Sequence, residues 1–193
     1  MSDIVRATLD ETIALHRRVR DADPRPLIDA AAAITHAVTT GGKLLLFGNG
    51  GSASDAQHVA AELVGRFQRE RAALAAIALT ADTSVLTSIA NDTAYDRVFA
   101  RQVEALGRAG DVALGISTSG ASANVVAALE EARARGLITI ALTGRDGGRV
   151  GRAATIHVNV PSEVAARVQE VHRTLLHVIC EIVENDTFNR GGR

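Results

Sequence analysis

The sequence predicts an α/β fold: a three-layer sandwich with a five-stranded parallel sheet flanked by helices, and extra helices ahead of the first strand. Three observations lead there. Five short, unbroken apolar runs recur along the chain, and runs of that kind belong to strands covered on both faces. Helical stretches separate them, and strands alternating with helices build a parallel sheet with right-handed crossovers. The composition suits this packing. Of 193 residues, 47% are hydrophobic but only 3% aromatic and none is Trp, so the core must be made of Ala, Val, Leu and Ile. A chain of this length is expected to form one domain around a single core.

Two helices come first, over 3–20 and 25–40; Ile4, Leu9, Ile13 and Leu15 give the first an apolar side, and Pro24 and Pro26 mark the break. They precede any strand, so they read as an N-terminal helical arm (1–40) added to a core over 43–188 within the single domain 1–193. Gly41-Gly42 ends the second helix. The expected strands are Leu44–Phe47, Ala75–Leu79, Val112–Ile116, Ile138–Leu142 and Thr155–Val158. Helices are expected over 53–66, 83–90, 95–107, 122–135 and 147–153, with a long closing helix over 163–185. Glycines at the strand exits place binding loops at the carboxyl edge of the sheet, where such folds bind ligands.

Charge and composition exclude several classes of function. Lys plus Arg (21) nearly balances Asp plus Glu (22), so no overall field draws the chain to nucleic acid or to a membrane surface. No apolar run reaches the roughly 18 residues of a membrane span. The amphipathic N-terminal stretch carries acids, unlike a signal or transit peptide, and the expected location is the cytoplasm. Cys180, the single cysteine, lies in an apolar run and reads as a buried structural thiol.

Two strand exits carry similar chemistry: Gly48-Asn49-Gly50-Gly51-Ser52-Ala53-Ser54, and Ser117-Thr118-Ser119-Gly120-Ala121-Ser122. Each follows an apolar run and opens a helix, which puts backbone N–H groups and the positive end of a helix dipole where an anion can sit. One such loop alone reads equally as a turn with an N-cap serine. Two at equivalent positions point to a phosphate held by neutral donors. GNGGSA lacks the G-x-G-x-x-G spacing and neither loop has a Gly-Lys-Ser/Thr, so no nucleotide cofactor is expected. A sugar monophosphate suits these loops better than a triphosphate.

Beyond the first loop, His58 and Glu62 stand four apart on one helix face; the closing helix offers Gln169, His172 and His177. Singly, each has an ordinary reading as a surface pair or a core histidine. Aldose–ketose interconversion needs a base to lift a proton beside a carbonyl and an acid to serve the oxygens. Glutamate and histidine are readily tuned to those tasks near neutral pH, which makes Glu62 and His177 the candidates.

FGNGGSASDAQHVAAEL, SIANDTAYDRVFARQVEALGRAGDVALGISTSGASANVVAAL, ALTGRDGG and VPSEVAARVQEVHRTLLHVI together resemble sugar-isomerase (SIS) domains. Within that class they are similar to the phosphoheptose isomerases, which convert sedoheptulose 7-phosphate to D-glycero-D-manno-heptose 7-phosphate. The resemblance implies a flavodoxin-like SIS domain and a homotetramer with active sites between subunits. It also implies substrate contacts from Asn49, Gly50, Gly51, Ser52, Glu62, Asn91, Asp92, Ser117, Thr118, Ser119, Ser122 and Gln169. By the same likeness Glu62 is the base, His177 the acid, and His58, Glu62, Gln169 and His177 a zinc site with one ion per subunit. A non-enzymatic SIS tetramer that binds a replication initiator shares the Ser/Gly loops but lacks the counterparts of Glu62 and His177. The chain departs from its relatives ahead of Gln169, where Val164, Ala165 and Ala166 replace Asp or Thr.

Overall fold

The computed structural model describes residues 1–191. Helices α1 (Ser2–Arg20) and α2 (Arg25–Thr39) lead into β1 (Leu44–Gly48), α3 (Gly51–Val64), β2 (Ala76–Ala78) and α4 (Thr83–Asp92). A single 3₁₀ turn at Tyr95–Arg97 precedes α5 (Ala100–Leu106), β3 (Val112–Ser117), α6 (Ala123–Ala134), β4 (Ile138–Gly144), α7 (Gly148–Ala153), β5 (Ile156–Val160) and α8 (Ala165–Gly191). All four strand pairings are parallel and the sheet order is β2-β1-β3-β4-β5.

The strand sequences decide which helices cover which face. Along β1, Leu44 and Leu46 enter one core with α2, α3 and α8, while Leu45 and Phe47 enter the other with α5, α6 and α7. Successive side chains of a strand point to opposite faces, so LLLF feeds both layers at once. The second face is lined by small residues. Ala113, Ala141 and Gly115 let α6 approach closely, and a methyl group at Gly115 would lie 2.7 Å from Val125 Cγ1.

Three expectations need correction. The run around Ile77 is an edge strand of three residues with Ile77 39% exposed, and β5 at the other edge is only partly covered, because order 2-1-3-4-5 leaves both outside. The helix expected over 95–107 is split at the 3₁₀ turn, which lets the consecutive residues Val98 and Phe99 both bury. The closing helix starts at Ala165, after a turn in which Ser162 Oγ accepts the Val164 N–H.

Candidate active site

Both Ser/Gly loops open at the carboxyl edge of adjacent strands, since β1 and β3 pair in register with Gly48 opposite Ile116. A reciprocal amide pair ties them together: Asn49 Nδ2 donates to Asn124 Oδ1 and Asn124 Nδ2 donates to Asn49 Oδ1, each at 2.9 Å. Tyr95 Oη adds a third bond to Asn49 Oδ1 at 3.2 Å, bringing the segment after α4 to the first loop. Asn91 and Asp92 lie exposed at the end of α4 and bond to each other at 2.9 Å.

The second loop concentrates hydroxyls. Ser117 is 4% exposed, and its Oγ lies 2.9 Å from Ser122 Oγ and 3.4 Å from Ser119 Oγ, while Ala121 N–H donates to Ser119. Gly120, at φ +66, packs on the β4–α7 turn so tightly that a Cβ would lie 2.5 Å from the Gly147 carbonyl oxygen. That contact holds the serine loop against its neighbour. In the first loop, N–H groups of Ser52, Ala53 and Ser54 turn back onto the Asn49 and Gly50 carbonyls. The Ser117–Ser122 loop is therefore the better-equipped anion seat of the two.

The acid–base candidates converge. His58 Nε2 lies 2.8 Å from His177 Nε2, and Glu62 Oε1 is 3.4 Å from the same His58 nitrogen. Two ring nitrogens at that distance need one donor and one acceptor. Helix α3 delivers His58 and Glu62 one turn apart, and α8 crosses it to deliver His177. Phe67 flanks His177 with ring centroids 5.6 Å apart.

Gln169 lies two turns earlier on α8, over the start of α3, where a methyl group on Gly51 would meet its amide. An open cleft of about 660 Å³ runs between them, lined by Gly51, Ser54, Gln169, Arg173 and His177 among others. Ala166 lines it too, so the departure noted ahead of Gln169 falls on the cleft wall. A slightly larger apolar hollow of about 680 Å³ beside β2, between α4 and α5, touches none of these residues.

His172 serves structure. It is fully buried with Nε2 3.0 Å from the Thr143 carbonyl oxygen, and burial pushes its pKa below the ordinary histidine value. Cys180 is buried as expected, its thiol pushed up to about 12, chiefly by burial. Sequence reasoning missed Asn124, Tyr95, Phe67 and Arg173. The last is aimed along the cleft by an ion pair with Asp55, which is 1% exposed. Only an acid buried beside a strand-exit loop could have flagged it, and burial is not visible in DAQH.

The arrangement is a cluster of serine hydroxyls at the second loop, and a glutamate with two histidines where α8 meets α3, of which His177 opens onto the cleft. The SIS domain family model matches residues 9–144. A phosphoheptose isomerase of Roseiflexus sp. (strain RS-1) is 53% identical over 180 residues, 93% of this chain and 91% of the relative. The chain belongs to the SIS-domain family, among the phosphoheptose isomerases. A solved phosphoheptose isomerase from Neisseria gonorrhoeae superposes with TM-score 0.90 at 45% identity, covering 95% of this chain and 98% of that one. One from Francisella tularensis gives TM-score 0.91 at 36% identity, covering 95% and 97%. Relatives this similar over nearly the whole chain are phosphoheptose isomerases, so the chain is an isomerase that works on a sugar phosphate.

A zinc site calls for nitrogen and oxygen donors around one point. Among the described residues no set of three or more His, Cys, Asp or Glu side chains is arranged as a metal centre; His58 and His177 bond to each other instead. The donor chemistry fits all the same. Tetrahedral zinc ligands sit about 3.3 Å apart, and the separations here are 2.8 and 3.4 Å. Among the described residues, no helix is long and apolar enough to cross a membrane.

Proposed function

We propose that the chain, as one SIS domain over residues 1–193, isomerises sedoheptulose 7-phosphate to D-glycero-D-manno-heptose 7-phosphate in the cytoplasm. The observation that carries this is the meeting of Glu62 with His58 and His177, from two helices far apart in sequence, where His177 opens onto the cleft that Gly51 and Ser54 of the first loop also line.

Ser117, Thr118, Ser119 and Ser122 hold the phosphate through hydroxyl and backbone donors, which fixes one end of the sugar. Asn49, Gly50, Gly51 and Ser52 border the chain of the sugar, with Asn91 and Asp92 reaching in from the end of α4. Gln169, across from Gly51, donates to hydroxyls near the carbonyl. Glu62 takes the proton from C1 of the ketose while His177 protonates the C2 oxygen, giving an enediol. Glu62 then returns its proton to C2, the C1 hydroxyl proton leaves to His177, and the aldose carbonyl forms at C1. Zinc held by His58, Glu62, Gln169 and His177, one ion per subunit, supplies Lewis-acid polarisation of the substrate carbonyl when bound.

Assembly as a homotetramer with the clefts at subunit interfaces belongs to the same proposal. Ile4, Val5, Leu9 and Ile13 on α1 are 71%, 58%, 55% and 48% exposed, an apolar stripe of the kind that marks an interface. The same helix packs against α8 at two residues of the cleft lining, Thr12 donating to Glu170 at 2.8 Å and His16 meeting Thr174 at 3.0 Å. The deciding experiment incubates the pure protein with sedoheptulose 7-phosphate and follows aldose formation with and without chelator, alongside metal content by mass spectrometry. Absence of turnover in the metal-supplemented protein overturns the reading.

A further inference from the structure

The loop between α3 and β2, residues 65–75, carries none of the proposed chemistry, yet a buried ionic group fastens it. Glu184 stands on α8 two turns beyond His177 and is 2% exposed. Its carboxylate accepts three successive backbone N–H groups, from Phe67 at 3.1 Å, Gln68 at 2.9 Å and Arg69 at 3.0 Å. Arg71 Nε faces the same carboxylate at 3.2 Å, the two side chains 5% and 3% exposed. The rest of the Arg71 guanidinium donates to the carbonyls of Glu62 at 2.8 Å and Leu63 at 2.9 Å in the last turn of α3, and to Ala72 at 3.0 Å.

These bonds form a chain between the two helices that carry the reacting groups. A buried ion pair contributes little net stability over an apolar replacement, because desolvation offsets most of the attraction. What this one does is geometric. It caps the end of α3 at the very residue whose side chain is the base candidate. It also holds Phe67 against the His177 ring, 5.6 Å between centroids. Both consequences bear on the separation of Glu62 from His177.

We propose that Glu184 and Arg71 are positioning residues that set the alignment of Glu62 with His177, through the α3 terminus and through Phe67. The catalytic part of this rests on the isomerase reading. The test uses Glu184→Gln, which keeps shape and an acceptor but weakens the grip on three N–H groups and leaves Arg71 without its partner. Arg71→Lys keeps the charge and loses the fork. In both, turnover should fall by about 10- to 100-fold, the scale of a misplacement near 1 Å, with KM moving less than about threefold. The ring-proton shifts of His177, assigned through His177→Asn, should move as Phe67 leaves its face, while circular dichroism stays unchanged. Glu181→Gln, an exposed loss of the same charge on α8, should change neither. Wild-type turnover or an unmoved His177 signal in the folded variants overturns the proposal; if Glu184→Gln does not fold, Arg71→Lys decides alone. Should the wild type show no isomerase activity, that reading falls while the His177 signal still reports whether Glu184 and Arg71 place Phe67.

Discussion

Gly51→Ala isolates one contact in the cleft. Gly51 opens α3 with a negative φ, so alanine is compatible with its backbone and gains helix propensity, up to about 1 kcal/mol. Its new Cβ would lie 2.5 Å from Gln169 Cδ and closer still to the amide nitrogen. Heavy atoms in contact sit about 3.5 Å apart, so Gln169 must retreat by roughly 1 Å at Cδ and further at its amide nitrogen. Gln169 is a flexible side chain at the edge of an open cleft and can yield without disturbing the core. Stability should therefore hold or rise, by up to about 4 °C in Tm. Activity should not hold. A misplacement of that size costs up to about 10²-fold, and losing the neutral hydrogen bonds of the amide alone accounts for roughly tenfold. We expect kcat/KM for sedoheptulose 7-phosphate to fall by about 10- to 100-fold. A double-mutant cycle decides the cause: in a Gln169→Ala background the Gly51→Ala change should cost almost nothing further. An equal loss in both backgrounds, or wild-type kcat/KM in Gly51→Ala, refutes the argument that Gln169 acts from above Gly51.

Other outcomes follow from the same geometry. Glu62→Gln keeps shape but cannot accept a proton, so turnover should fall by about 10²–10⁴ with little change in affinity; near wild-type turnover removes the base assignment. Ser119→Ala should weaken substrate binding by about ten- to hundredfold as a donor to a charged group is lost, and an unchanged KM and kcat/KM would show that this loop does not seat the phosphate. Burial lowers the His172 pKa, so the unfolded state binds the proton more readily. Its contribution to stability is present above the ordinary value of about 6.5 and is lost as pH falls from there toward the folded value. His172→Gln should flatten the slope of the urea midpoint over that window, and an identical slope contradicts this. Leu9→Glu, on the exposed stripe of α1, should lower the assembly mass measured by light scattering, whereas a monomeric wild type at micromolar concentration rules out the tetramer.

Which parts of the molecule were legible in the sequence follows from the range of the forces involved. Five apolar runs and the glycines at their ends are local signals, and they located the five strands of the sheet and the two Ser/Gly loops at their exits, because alternation with helices leaves a parallel sheet few alternatives. The spacing of His58 and Glu62 likewise depends only on one helical turn. Other features depend on what lies across the fold. Ile77 reads like its neighbours in the chain, but strand order makes β2 an edge, and order is set by crossover packing. Asn124 looks like any residue in the first turn of a helix until the pairing of β1 with β3 brings Asn49 within 2.9 Å. Arg71 and Glu184 are ordinary charges in a sequence where charges are common. They become a buried bridge only because α8 crosses the end of α3, where neither ion can be left without its partner once water is excluded. The chain's own pattern therefore determined the elements, the loops and the acid–base candidates. Which residues hold those candidates in register was decided by tertiary contacts alone, since desolvation and hydrogen-bond geometry act between segments that no local pattern connects.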